Sequence, residues 1–225
     1  MPTWLLLVPQ IASMLWGIFR KGRTIQVDKK KARLVEKSFY QEVAEPVKVP
    51  DFTRELEILD CRKTILRHKT LKWEIRSLSK VNLIVVHHTA TPKDRSSFRA
   101  IANYAITPSD ENHLSKEGAP SIPYHYGIDE QVGVSWFNDL ECVTWGAKGF
   151  NTRSVHISCL GDFSTKDSHV GADEVPTSYY EFYLPELIKF LKKTFPNAKV
   201  VTHRDLGKYN CPGDFLYNFV KSLEK

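Results

Sequence analysis

The chain has 225 residues, of which 42% are hydrophobic and 26% are charged, and its formal net charge is +6. This length suits one well-buried domain with extensions and excludes a second large domain. The positive charge and a sequence pI near 9.0 favour a polyanionic partner, for which nucleic acid, anionic lipid and wall polymers all qualify. The chain has four cysteines, Cys61, Cys142, Cys159 and Cys211, which are too few and too scattered for a small disulfide-rich protein. We therefore expect mainly free thiols, with one disulfide bridge left open.

The N-terminal segment is a candidate membrane anchor. Residues 1–19 contain no charged side chain and are just long enough to cross a bilayer, although Pro9 and Gln10 weaken a helix there. A cleavable secretory signal is not indicated, because no positive residue precedes the apolar run. Basic residues follow the run, and by the positive-inside rule they would keep the rest of the chain in the cytoplasm. The alternative is a helix buried in an assembly.

Residues 20–69 predict a basic tether followed by a short helix. The first part is polar and lacks a repeating apolar face, and Pro46 and Pro50 prevent a continuous helix. Scattered apolar positions in residues 51–67 indicate the short helix. The strict alternation of LKWEIR, residues 71–76, then predicts a half-exposed edge strand that opens the main domain, residues 70–225.

The main domain mixes short strands with helices. Residues 83–86 show no alternation, which is typical of a strand covered on both faces. Four further segments predict short strands: PYHYGI, GVSWF, VHISCLG and AKVVTH. Helices are predicted near residues 96–105 and 178–194, the second with an apolar stripe. This order of elements indicates an α/β or α+β domain.

Two of the predicted strands end in a histidine, His87 and His203. Ligand sites in such sheets favour the carboxyl ends of strands, so both imidazoles are expected at one place. Cys211 follows His203 by eight residues, and Gly207 permits the intervening chain to turn back. Two imidazoles and a thiolate form a three-ligand zinc set whose fourth position admits water, as in catalytic sites. The alternative is two strand-end histidines with backbone partners and a buried structural cysteine.

Four segments in the same order resemble the zinc-dependent N-acetylmuramoyl-L-alanine amidases, a family that includes the amidase-type phage lysozymes and the peptidoglycan recognition proteins. IVVHHTAT is similar to the first metal-binding strand, and IPYHYGI to the strand with the active-site tyrosine. WGAKGFNTRSVHISCLGDF resembles the substrate-groove loop and the core strand after it. THRDLGKYNCPGD resembles the last metal-binding segment. The resemblance spans about Val81 to Phe215.

The resemblance implies a central mixed sheet flanked by helices, with Zn²⁺ bound by His87, His203 and Cys211. It also implies hydrolysis of the amide between N-acetylmuramic acid and L-alanine in peptidoglycan. Tyr124 is the expected donor to the oxygen that gains charge in the reaction. His88 is expected on the opposite face of the strand, where packing or a hydrogen bond to the metal shell is favoured over coordination.

The chain departs from the family pattern at the proton-transfer positions. The phage enzymes carry a lysine two residues before the cysteine, where this chain has Tyr209, with Lys208 one position earlier. Recycling-type amidases carry a glutamate on the core strand, where this chain has Ser158. Three alternatives for proton transfer therefore remain: Lys208, Tyr209, or zinc with Tyr124 alone.

The substrate groove is expected at the loop WGAKGFN, which resembles the substrate-groove loop of the family. Aromatic faces stack on sugars and a cation meets a peptide carboxylate. The candidate substrate-binding residues are Trp145, Lys148, Phe150, Asn151 and, beside the metal, His88. Trp136, Phe137 and Asn138 are expected to form the opposite wall, whereas Arg204 and Asp205 are expected to orient the turn after His203.

The leading functional hypothesis is a phage-related amidase that acts at the bacterial cell wall. The alternatives are a non-catalytic peptidoglycan-binding module and a virion structural component. Nucleic acid is not expected as a partner, because the basic tether lacks interleaved aromatic residues and no nucleic-acid motif occurs. The wall lies outside the membrane, which conflicts with a cytoplasmic domain. Release at lysis, packaging in a particle, or a segment 1–19 that never spans a membrane would each resolve the conflict.

Overall fold

A computed structural model describes residues 46–48, 56–164 and 173–223. In this part of the chain seven strands form one sheet in the order β1-β2-β5-β4-β6-β3-β7. The strands are β1 Pro46–Lys48, β2 Glu57–Asp60, β3 Leu83–His88, β4 Tyr126–Asp129, β5 Gly133–Trp136, β6 Ser154–Cys159 and β7 Lys199–Thr202. The pairs β1–β2 and β4–β5 are antiparallel, and the other four neighbouring pairs are parallel. The predicted central mixed sheet is confirmed.

The middle of the sheet positions the candidate site. Every residue of β3 and of β6 is buried, which explains why the sequence of β3 shows no polar alternation. β3 lies between β6 and β7, and all three strands run in the same direction. Their carboxyl ends therefore meet at one edge, as the histidine positions predict.

Three α-helices accompany the sheet in the described residues. They are α1 Phe98–Ile106, α2 Leu184–Thr194 and α3 Asp214–Ser222. The Ser97 hydroxyl caps α1, and a π-helical turn, Tyr179–Tyr183, leads into α2. The two predicted helices are thus confirmed, whereas α3 was not predicted because only two of its residues, Leu216 and Val220, are buried. No helix in the described part is long and apolar enough to cross a membrane.

Of the three hydrophobic clusters in the described residues, the two with the most members hold these elements. The larger one packs α2 and α3 against the strands through residues such as Ile84, Val86 and Ile157. The second joins Phe98 of α1 to Cys61 and Ile65. All four cysteines are buried free thiols, so the expected free state is confirmed.

Two predicted elements before residue 80 are wrong. Where a helix was predicted in residues 51–67, residues 57–60 form β2, which pairs in parallel with β5. Residues 71–76 form no strand, and Ile75 makes only an isolated bridge with Cys142, which lies outside the sheet. Ile75 is 71% exposed while Arg76 is buried, the reverse of the predicted alternation. Arg76 turns inward because its guanidinium donates to the carbonyls of Asn151 and Leu140. The predicted anchor, residues 1–19, lies outside the described residues.

Candidate metal centre and substrate groove

The two strand-end histidines meet across neighbouring strands. Val86 of β3 pairs with Thr202 of β7, so the next residues, His87 and His203, lie side by side. Their Nδ1 atoms are 3.1 Å apart, and Cys211 Sγ lies 3.8 Å from His87 Nδ1. The three donor atoms all lie within 4.8 Å of one another. The structure therefore brings together the three predicted metal ligands.

The loop from His203 to Cys211 is shaped by its own hydrogen bonds. A short 3-10 turn, Arg204–Leu206, ends at Gly207, whose φ of 96° is in the left-handed region that favours glycine. The Asp205 carboxylate accepts hydrogen bonds from the Thr202 backbone N–H and hydroxyl at 2.8 and 2.9 Å. Arg204 forms an ion pair of 2.6 Å with Asp214 at the start of α3. These contacts agree with the turn-orienting role expected for Arg204 and Asp205.

Burial keeps the two imidazoles neutral. Burial, with the nearby histidines His203, His156 and His88, lowers the pKa of His87 well below its usual value. Burial and then the Lys208 cation lower the pKa of His203 to about 4. Both rings thus carry a free lone pair at neutral pH. Burial raises the pKa of the Cys211 thiol to about 12, so a metal ion would have to displace its proton.

The donor set fits zinc. Two neutral imidazole nitrogens and one sulfur, close enough to share an ion, match the ligand types of catalytic zinc sites with three protein ligands. The His88 backbone N–H also points at the Cys211 sulfur at 3.5 Å and steadies it. Among the described residues, this is the one group of three or more such side chains that could hold a metal ion.

Tyr124 lies beside the three candidate metal ligands. Its ring centroid is 5.4 Å from that of His87, and the side chain is only partly buried. Burial and the nearby Cys211 raise the pKa of Tyr124 far above neutrality, so its hydroxyl stays protonated and able to donate. The Asn138 side chain donates a 2.6 Å hydrogen bond to the Tyr124 carbonyl and fixes this segment.

His88 occupies the opposite side of β3, as predicted. Its side chain is buried, and its Nδ1 accepts a 3.0 Å hydrogen bond from the Phe163 backbone N–H. Its ring centroid lies 6.0 Å from that of Phe163. This position argues against contact between His88 and a substrate.

Some residues of the predicted groove loop face solvent, and others make contacts within the loop. Lys148 is exposed, and Trp145 is partly exposed with its ring packed edge-on against Trp73 at 5.5 Å. Phe150 lies under the Arg153 guanidinium at 4.9 Å. The Asn151 side chain accepts the Ala147 N–H at 2.7 Å and so closes the loop rather than facing outward.

The expected opposite wall is not formed by the residues proposed for it. Phe137 and Asn138 are fully buried, and Asn138 bonds the carbonyls of Ile122 and Tyr124. The Trp136 ring is covered by the Arg62 guanidinium at 3.5 Å. Strand periodicity could not reveal this, because the three residues lie where β5 ends and the chain turns into the core.

The proton-transfer candidates differ in their surroundings. Lys208 is exposed, yet its charge acts on His203. Tyr209 is 53% exposed, and the Arg204 guanidinium lies 5.4 Å from its ring centroid. Ser158, which pairs with His87 in the sheet, is buried, and its side chain lies beside that of Tyr124.

One residue at the site was not predicted. His156 of β6 is fully buried, and its Nδ1 lies 3.0 Å from His87 Nε2. The available signal was its place two residues before Ser158 in a period-two strand, which puts both side chains on one face.

Comparison with known proteins gives consistent results. Residues 77–214, more than half of the chain, match the model of a protein family described as N-acetylmuramoyl-L-alanine amidase. An endolysin of Enterobacteria phage K11 is 27% identical over 109 residues, which cover 48% of this chain and 70% of that protein.

Solved structures share the fold. The endolysin Ph2119 of a Thermus scotoductus MAT2119 bacteriophage is 28% identical with a TM-score of 0.55, covering 73% of this chain and 97% of its own. The Drosophila peptidoglycan recognition protein SD has a TM-score of 0.59 at 19% identity, covering 74% of this chain and 94% of its own. The second likeness concerns the fold alone.

Proposed function

Because the chain belongs to the N-acetylmuramoyl-L-alanine amidase family, we propose that it is a zinc-dependent, phage-related peptidoglycan amidase. It would hydrolyse the amide between N-acetylmuramic acid and L-alanine at the bacterial cell wall. The proposal depends on one observation. The donor atoms of His87, His203 and Cys211 all lie within 4.8 Å of one another. Residues 77–214, which match the family, contain all three.

His87, His203 and Cys211 would hold the metal ion. Bound zinc supplies a Lewis acid for the scissile carbonyl and an activated water. The chain contributes two neutral imidazoles, a buried sulfur and the His88 backbone N–H that steadies this sulfur. The burial of His87 limits the approach of bulk water from the sheet side.

The Tyr124 hydroxyl would donate a hydrogen bond to the carbonyl oxygen as it becomes negatively charged. A donor that is already in place costs no reorganisation during the reaction, and such donors contribute much of the rate. Its protonated state and its position 5.4 Å from the His87 ring support this role.

Lys208 is the proposed proton-transfer residue. Its charge reaches His203, whereas the Tyr209 ring lies beside Arg204. Trp145 and Lys148 would contact the sugar and the stem peptide, since both are accessible on the groove loop. Phe150 and Asn151 would support that loop from within.

The test is to compare metal content and muropeptide cleavage in the native chain and in His203→Ala. We expect one zinc ion per native chain, release of stem peptides, and loss of both in the variant. Intact muropeptides after incubation with the zinc-loaded native chain would instead support the second candidate, a non-catalytic peptidoglycan-binding module. Cys211 favours the enzyme, because binding alone does not require a third metal ligand. Association of residues 1–19 with a membrane or a particle stays a prediction.

A further inference from the structure

His156 places a second imidazole directly behind a metal ligand. Its ring is fully buried, its centroid is 5.1 Å from that of His87, and its Nδ1 faces His87 Nε2 at 3.0 Å. The other nitrogen of His87, Nδ1, faces His203 and Cys211. The two nitrogens of His87 thus have separate partners.

This arrangement determines which nitrogen carries each proton. For His87 to bind a metal ion through Nδ1, its proton must be on Nε2. Nε2–H then donates to His156 Nδ1, which must be unprotonated. The proton of His156 is consequently on its own Nε2.

The surrounding residues hold the His156 ring in this position. A Cβ atom at residue 146 would lie 2.6 Å from His156 Cγ, so the absence of a side chain at Gly146 makes room for the ring. On the other side the ring stacks on His125 at 5.9 Å, and the His156 backbone N–H donates to His125 Nδ1 at 3.1 Å.

The imidazole does not fully satisfy its own hydrogen bonds. His156 Nε2 is buried without a hydrogen-bond partner, which costs stability. An apolar side chain of similar size would avoid this cost. The contact with His87 is therefore the interaction that accounts for an imidazole at this position.

We propose that His156 is a positioning residue that accepts the Nε2–H of His87 and thereby fixes His87 with Nδ1 free for the metal ion. The inference rests on the proposed zinc site and extends it to a residue that never touches the metal. Removal of such outer hydrogen-bond partners lowers metal affinity by about 10–100-fold in known sites.

The test compares His156→Leu with His156→Asn, because the Asn Oδ1 can take the place of the imidazole Nδ1 as acceptor. Zinc affinity is measured by chelator competition, and stability by urea unfolding of the metal-free chains. We expect zinc to bind His156→Leu about 10–100-fold more weakly, with Asn restoring most of the loss. The metal-free Leu variant should be at least as stable as the native chain.

Equal zinc affinity in the native chain and the Leu variant would overturn the proposal, as would equal losses in Leu and Asn. If the Leu variant fails to fold, Gly146→Ala provides the second test, since its Cβ must displace the His156 ring and weaken zinc binding. Nitrogen NMR of the zinc-loaded native chain should show the His87 proton on Nε2, and a proton on Nδ1 would refute the inference. These readouts need no peptidoglycan, so a chain that binds zinc but cleaves nothing would refute only the enzymatic function.

Discussion

The Tyr124 side chain is half-buried, and its hydroxyl stays protonated beside the three candidate metal ligands. The Asn138 side chain donates a hydrogen bond to the backbone carbonyl of Tyr124 and so fixes the backbone from which the tyrosine ring extends. Loss of the hydroxyl should therefore change the chemistry without changing the fold.

We predict that Tyr124→Phe lowers kcat about 10²–10³-fold with little change in KM, the usual effect of deleting one oxyanion donor. The measurement is chromatographic quantification of released stem peptides. Zinc content serves as the control and should equal that of the native chain. An unchanged kcat would exclude the proposed role.

Lys208 and Tyr209 can be separated by parallel substitutions. Lys208→Ala should lower kcat by about 10²-fold if the lysine transfers a proton. Tyr209→Phe should have the smaller effect, because the tyrosine ring lies by Arg204 rather than by the metal ligands. The opposite order of the two losses would assign the role to Tyr209.

The candidate metal ligands could be predicted from sequence because His87 ends the apolar run of β3, His203 follows β7, and Cys211 comes after a turn marked by Gly207. The groove wall could not, since the burial of Phe137 and Asn138 depends on where α1 and the Tyr124 segment pack. His156 was missed because its role depends on space left at Gly146, ten residues earlier in the chain.

Two glycines, one inside the loop from His203 to Cys211 and one just after it, differ in their surroundings. Gly207 has a φ of 96° and no atom near the position that a Cβ would take. Gly213, which precedes α3, has a φ of 93°, and a Cβ there would collide with the Phe163 carbonyl. The first therefore needs only a left-handed backbone, whereas the second also needs space.

We predict that Gly207→Ala lowers the free energy of unfolding by about 1–2 kcal/mol, the cost of a left-handed alanine. Gly213→Ala should lower it further and should also weaken zinc binding, because the segment after Cys211 must move. Urea unfolding and chelator competition measure the two effects. Equal destabilisation by both substitutions would contradict the packing argument.

The strands of the main sheet could be predicted from sequence, whereas the structure of residues 57–76, which precede β3, could not. β3 is buried on both faces, which its apolar sequence expresses directly, whereas β6 is equally buried although its sequence alternates polar and apolar residues. In residues 71–76 the alternation misled, because the long Arg76 side chain reaches inward to carbonyl groups. β2 has only four residues and depends on its pairing with β5 and β1.

At the level of the molecule, the sheet extends past the predicted start of the main domain at residue 70. β2 pairs with β5, and Cys61 and Ile65 belong to the cluster that packs α1. We therefore propose that the folded domain requires residues before residue 70.

We predict that removing residues 1–45 leaves a folded chain that binds zinc and cleaves muropeptides. Removing residues 1–69 should abolish cooperative unfolding, because it deletes two strands and exposes the second cluster. Circular dichroism melting and metal content distinguish the two truncations. A stable, zinc-binding 70–225 fragment would restore the boundary predicted from sequence.

The long separation of the metal ligands along the chain has a consequence for synthesis. His87 and His203 are 116 residues apart, and Cys211 lies 124 residues from His87. A nascent chain emerging from the ribosome therefore carries only one of the three ligands until β7 has been translated. The complete set of candidate ligands therefore exists only once residue 211 has been translated, so a chain that stops earlier lacks at least one of the three.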